Sequence, residues 1–159
     1  MREERQLDDD ASASRMFVCT CGRLRRTARL ATRHYDRALK PVGLKLTQYS
    51  ILANVARREG LTVTQLARLL GLERTTLTRN LRPLQTTGWL AIDVGADHRS
   101  RQIRLTDLGR EKLAEARPLW RAAEQEFRRA VGSDTAEELV RLLDKAFREA
   151  PTSSGRVRA

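Results

Sequence analysis

Between Thr62 and Thr106 the spacing of apolar residues switches from helical to alternating, and glycines mark the breaks. In "TVTQLARLLG" Val63, Leu66, Ala67 and Leu70 recur at helical intervals, and the run stops at Gly71. Thr62 with Gln65 three residues on fits a capping box at its start. "LERTTLTRNLRPLQTTGWL", residues 72–90, repeats the pattern with Leu77, Leu81 and Leu84 inward, Glu73 or Arg74 near its cap and Gly88 at its close. Pro83 falls inside this second helix; it removes the hydrogen bond to the Arg79 carbonyl and should bend the rod. "WLAIDV" and "RQIRLT" then alternate apolar and polar residues, with "GADHRS" as the charged tip of a hairpin. A short helix, a glycine turn, a second helix and a two-stranded hairpin together describe a winged helix-turn-helix.

The flanks read as long helices. From about residue 15 the stripe Phe17, Cys21, Leu24, Ala28, Ala31, Tyr35, Ala38 runs down one helix face until "KPVGLK" ends it at Pro41 and Gly43. Thr47 is the expected cap of a second helix, with Ile51, Leu52 and Val55 inward and Gly60 closing it. Thr106 caps a later helix with the stripe Leu113, Ala116, Trp120, Ala123, Phe127, Val131, and Pro118 is a candidate kink in it. "GSD" at 132–134 separates a last helix carrying Leu139, Leu143, Ala146/Phe147 and Ala150. The expected fold class is mainly α with a small β-hairpin: a winged helix-turn-helix with N- and C-terminal dimerisation helices. Its expected parts are a mobile N-terminal arm (1–14), dimerisation helices (15–46 and 106–150), a DNA-binding region (47–105) and a disordered tail (151–159). The flanking stripes are too long for the small middle region to cover, so a second copy is expected to complete them as a homodimer.

Charge identifies the partner class. The net charge is +11, and it is concentrated: residues 15–40 carry eight Lys/Arg against one Asp, and residues 64–104 carry seven Arg against three acids. Local excess of this kind points to an anion, with nucleic acid first. On the second helix Arg74, Thr75, Thr78, Arg79 and Arg82 share one outward face. In a helix-turn-helix that helix enters the major groove of double-stranded DNA. Arginine there can grip guanine O6 and N7 together, and threonine can donate to phosphate or meet a thymine methyl. Thr64, Gln65 and Arg68 on the preceding helix are placed to touch backbone and fix register. At the hairpin tip, Arg99 and Arg101 suit a narrow minor groove, beside His98. Asp97 orients one of these guanidinium groups by pairing with it.

These segments resemble the MarR (multiple antibiotic resistance regulator) transcription factors. The resemblance runs from about residue 15 to 150. It is carried by "LTVTQLARLLGLERTTLTRNLRPLQTTGWL", by the wing "DHRSRQIRLT", and by "LTDLGREKL". It implies a homodimeric DNA-binding repressor or activator switched by a small ligand or by oxidation, with the wing Asp and Arg at Asp97 and Arg99. Glu73 departs from the Asp that commonly caps the recognition helix. Glutamate is the poorer cap, so a looser helix start is expected.

Two switches are candidates. Members of the resembled family bind aromatic carboxylates, phenolics or related anions between the first, second and fifth long helices, and an arginine there would meet an anionic group, even the phosphates of an acyl-CoA. The matching residues here are Cys21, Leu24, Arg25 and Ala28, with Tyr49 and Trp120 as aromatic walls. Alternatively "CTCGRLRR" is a redox element, in which Arg23, Arg25 and Arg26 favour a reactive thiolate at Cys19 or Cys21. Within a helix two positions so spaced point apart, which strains a disulfide between them. Small apolar packing is the competing reading of both cysteines. No phosphate loop, acid-paired histidine or metal-ligand spacing is present, so neither an enzyme nor a metal or cofactor is expected. Residues 1–10 are acidic and polar rather than signal-like, and no run approaches a membrane helix. A cytoplasmic location without membrane contact is therefore expected. The rival function is an architectural DNA-binding protein with weak sequence preference.

Overall fold

The computed structural model describes residues 19–58, 60–94 and 101–149. Expectations about the N-terminal arm, Phe17, the hairpin tip, Ala150 and the tail lie outside the described residues. The order is α1 (Thr20–Leu39), a 3-10 turn (Lys40–Val42), α2 (Leu46–Arg57), α3 (Val63–Leu69), α4 (Arg74–Thr86), β1 (Leu90–Val94), β2 (Arg101–Leu105), α5 (Asp107–Val131) and α6 (Ser133–Glu149). The chain divides into two compact units between His34 and Tyr35. The first unit contributes most of α1, whose Leu24 and Leu30 are exposed. All the other elements belong to the second.

The second unit is built on one aliphatic core. Leu39, Leu52, Leu66, Leu77, Leu81, Leu84 and Ile103 are all but completely buried, and Leu113 and Ala116 of α5 join them. Each helix gives this core the residues its spacing assigns: Ile51, Leu52 and Val55 from α2, Val63, Leu66 and Ala67 from α3, and Leu77, Leu81 and Leu84 from α4. Burying one such side chain stabilises the fold by roughly 1.5–3 kcal/mol, so these stripes fix helix orientation more firmly than any polar contact.

Two helix starts follow the expected chemistry and one does not. Thr62 Oγ1 accepts from Gln65 N at 3.2 Å while Gln65 Oε1 accepts from Thr62 N at 2.8 Å, a reciprocal capping box. Thr106 Oγ1 accepts from Gly109 N at 3.0 Å at the start of α5. For α2 the expected cap, Thr47, is wrong: the helix begins at Leu46 with Lys45 as its first flanking residue. Gln48 Oε1 accepts from Lys45 N at 2.9 Å, and Asp36 Oδ1, ten residues upstream, accepts from Leu46 N at 2.7 Å. A carboxylate from α1 does the work assigned to a local hydroxyl. Pro83 and Pro118 both sit within uninterrupted helices.

The hairpin is antiparallel, pairing Leu90 with Leu105 and Ile92 with Ile103. Its second strand has a further partner: Ile103 N donates to Leu61 O at 2.8 Å and Thr62 bridges to Gln102. The wing is thereby stitched to the residue that caps α3. Tyr35 at the far end of α1 donates from its hydroxyl to Glu124 Oε2 at 2.6 Å on α5, and burial holds its phenol well above its ordinary pKa. On α6 the apolar stripe faces out, with Val140, Leu143 and Phe147 between 41 and 49% exposed, although one edge of the Phe147 ring lies against Gly71.

Candidate nucleic-acid interface and effector pocket

The turn between α3 and α4 sets the geometry of the interface. Gly71, at φ 63, receives the end of α3: its N donates to Arg68 O at 3.2 Å and Leu72 N donates to Ala67 O at 2.9 Å. This closure ends α3 and leaves a short turn before α4 begins at Arg74. At the other end Gly88, at φ 73, closes α4 in the same way, with Gly88 N to Gln85 O and Trp89 N to Leu84 O both at 2.9 Å.

Leu77, Leu81 and Leu84 lock the inner side of α4, so its opposite side is fixed by elimination. Arg74, Thr75, Thr78, Arg79 and Arg82 are all exposed there. The N-cap Glu73 makes no side-chain capping bond, in keeping with the looser start expected of glutamate. The first-turn N–H groups of α4 are left for another acceptor, and the positive end of the helix dipole favours a phosphate. Thr78 behaves differently from expectation. Its hydroxyl donates to Arg74 O at 2.8 Å, so it offers an outer groove its methyl and oxygen lone pairs rather than a free proton.

On α3, Thr64, Gln65 and Arg68 are exposed beside this face. Gln65 spends its carbonyl oxygen on the cap, so only its amide N–H groups remain for a phosphate. In the wing, Arg101 is exposed at the start of β2, and Asp97, His98 and Arg99 lie outside the described residues. Sequence reasoning passed over Asp93 and Arg104, diagonal neighbours on adjacent strands that pair at 2.5 Å and brace the base of the wing.

The effector candidates divide between the two units. Cys21, Leu24, Arg25 and Ala28 are exposed on α1, so the stripe expected to pack there is bare within one chain. Tyr49 of α2 and Trp120 of α5 stack in the second unit, with ring centroids 5.4 Å apart and planes at 17°. Burial raises the Tyr49 pKa, against the pull of Arg117, Arg57 and Arg121. Those three arginines were not singled out from sequence. They come from separate turns of α2 and α5, and only the fold gathers their charge around one aromatic pair. Cys19 and Cys21 are both free and exposed within one chain.

Comparison with known proteins fits this geometry. The sequence profile described as "MarR family" matches residues 42–100. The M. tuberculosis transcriptional regulator MosR, whose structure is known in complex with DNA, is 41% identical with a TM-score of 0.72, over 80% of this chain and 96% of that one. The transcriptional repressor CouR, bound to p-coumaroyl-CoA, is 26% identical with a TM-score of 0.74, over 82% of this chain and 93% of that one. The uncharacterized HTH-type transcriptional regulator YwoH of Bacillus subtilis (strain 168) is 28% identical over 92 residues, 58% of this chain and 67% of that protein.

Proposed function

From the premise that this chain belongs to the MarR family of DNA-binding winged-helix transcription regulators, we propose that it is a repressor that binds a palindromic operator as a homodimer and is released by an anionic aromatic ligand. The single observation that carries the DNA reading is the two-sided α4: three leucines buried on one side, and three arginines and two threonines exposed on the other. Dimerisation is supported by the bare apolar stripe of α6, which a mate's helix would cover. Two copies of α4 related by a two-fold axis would read half-sites about one helical turn apart.

The ligand reading rests on the Tyr49–Trp120 stack and the positive potential of Arg57, Arg117 and Arg121 around it. An aromatic ring would extend the stack and a carboxylate or phosphate would meet the guanidinium groups; the reading is supported by the structural likeness to CouR, which is known bound to p-coumaroyl-CoA. Trp120→Ala should leave operator affinity within a few fold while abolishing release by aromatic acids and aromatic acyl-CoA thioesters. Release that survives in this variant would remove the stack from the mechanism.

A second reading is favoured by one observation, the exposure of both thiols at the start of α1. Cys19 stands before the first helical residue, so helix geometry does not force it away from Cys21. Peroxide would oxidise two such thiols to a disulfide and be reduced to water. Operator release by peroxide that is lost in Cys19→Ser would favour this switch over the ligand.

Footprinting at several salt concentrations tests the whole proposal. Protection of one short palindrome that outlasts general binding as salt rises is the expected result. Even coverage of the duplex at every salt concentration would instead indicate an architectural protein.

A further inference from the structure

Helix α1 carries a second concentration of positive charge that the recognition surface does not use. From Thr20 to Tyr35 its sequence, "TCGRLRRTARLATRHY", holds five arginines and no carboxylate. Arg25, Arg29 and Arg33 fall four apart, so they form one row with about 6 Å of axial rise between neighbours. All three are exposed. Other arginines of the chain are held by carboxylates: Arg104 by Asp93 at 2.5 Å, Arg110 by Asp107 at 3.1 Å, Arg128 by Glu124 at 3.1 Å and Arg141 by Glu138 at 2.5 Å. Among the described residues no carboxylate pairs with Arg25, Arg29 or Arg33.

Like charges at this spacing repel and weaken a helix, so the row adds nothing to the stability of the isolated chain. A linear polyanion reverses the sign of that effect. Each strand of duplex DNA presents one negative charge per about 3.4 Å of axis, dense enough to meet a cation every 6 Å. A membrane surface fits less well. A helix lying in lipid buries several bulky apolar side chains, whereas the side opposite this row carries one, Leu24, with Thr27 and Ala31. We propose that the Arg25–Arg29–Arg33 row is a sequence-independent docking surface for the phosphate backbone of duplex DNA, separate from α4.

The test uses the full chain and a random-sequence duplex, with affinity measured across a range of salt concentrations. Substituting Arg25→Gln, Arg29→Gln and Arg33→Gln together should make the plot of log affinity against log salt shallower by about 2–3 per protomer, at about 0.9 per lost phosphate contact. Substituting all three by lysine should preserve the slope. Circular dichroism checks helicity, and Arg29→Gln alone, with a change of about one, carries the test where the triple variant loses helix. The same change in slope is expected in a background carrying Arg74→Ala, Arg79→Ala and Arg82→Ala, so the outcome does not depend on α4 being the reading head. An unchanged slope in the glutamine variants overturns the proposal. So does an unchanged slope with a shifted monomer–dimer equilibrium, which would turn the row toward carboxylates of a second copy. Loss of binding to anionic vesicles with DNA binding intact would overturn it as well.

Discussion

Arg79→Ala will lower affinity for the selected operator by one to two orders of magnitude per half-site while leaving affinity for random duplex nearly unchanged. Arg82→Ala will weaken both together and reduce the salt slope by about one. The difference follows from position on α4. Arg79 stands one residue beyond Thr78 and within five of the helix start, on the side opposite Leu77 and Leu81. The N-terminal part of such a helix lies deepest in the groove. A guanidinium there can hold guanine O6 and N7 together, which is worth roughly 1–3 kcal/mol against the wrong base. Arg82 lies almost a turn further on, beside Pro83; in the proposed docking the helix leaves the groove there, so its guanidinium would meet backbone phosphate. Two copies in a dimer double the free-energy effect. An operator selected in vitro from random duplexes, titrated against its scrambled version, makes the measurement. Equal losses on both duplexes for Arg79→Ala would mean that this arginine reads no base.

The helix-turn-helix was legible in sequence because its signals are local. Gly71 and Gly88 take left-handed conformations at helix ends, Thr62 and Gln65 cap each other across three residues, and the leucines of α4 repeat at the period of the helix. What escaped depends on distance along the chain. The cap of α2 comes from Asp36 on another helix, so the local hydroxyl at Thr47 was the wrong choice. The link from Ile103 to Leu61 involves too few residues to show an alternating pattern. The arginines beside Tyr49 are unremarkable in sequence, because Arg57 is sixty positions from Arg117 and only packing of α2 on α5 unites them. Thr78 shows the opposite limit: its place on the outer face was readable, but the destination of its hydroxyl proton was not.

Gly109→Ala will destabilise the protein, although a glycine-to-alanine change within a helix ordinarily stabilises by about 1 kcal/mol. The reversed sign comes from how closely α5 approaches the end of the recognition helix. A Cβ at Gly109 would lie 2.0 Å from the Trp89 carbonyl oxygen and 2.7 Å from Leu105 Cδ2. The first of these is backbone and cannot rotate aside. It is also held in place: Thr106 N donates to Trp89 O at 3.2 Å, and the Thr106 hydroxyl donates to Gly88 O at 2.6 Å. Relief therefore requires α5 to separate from the Gly88–Trp89 turn that closes α4. Overpacking of this kind costs about 1–3 kcal/mol or more, and the rigid obstacle puts Gly109 at the upper end. For a chain of this size that corresponds to a fall in melting temperature of roughly 5–10 °C. DNA affinity should fall further than the unfolded fraction explains, because the turn being displaced is the one that positions α4. Thr106→Ala separates the two effects: it removes the hydroxyl from the same joint without adding bulk, so it should cost less stability. A melting temperature for Gly109→Ala at or above that of the parent would mean that α5 and the recognition helix are not in rigid contact, and that motion in one need not reach the other.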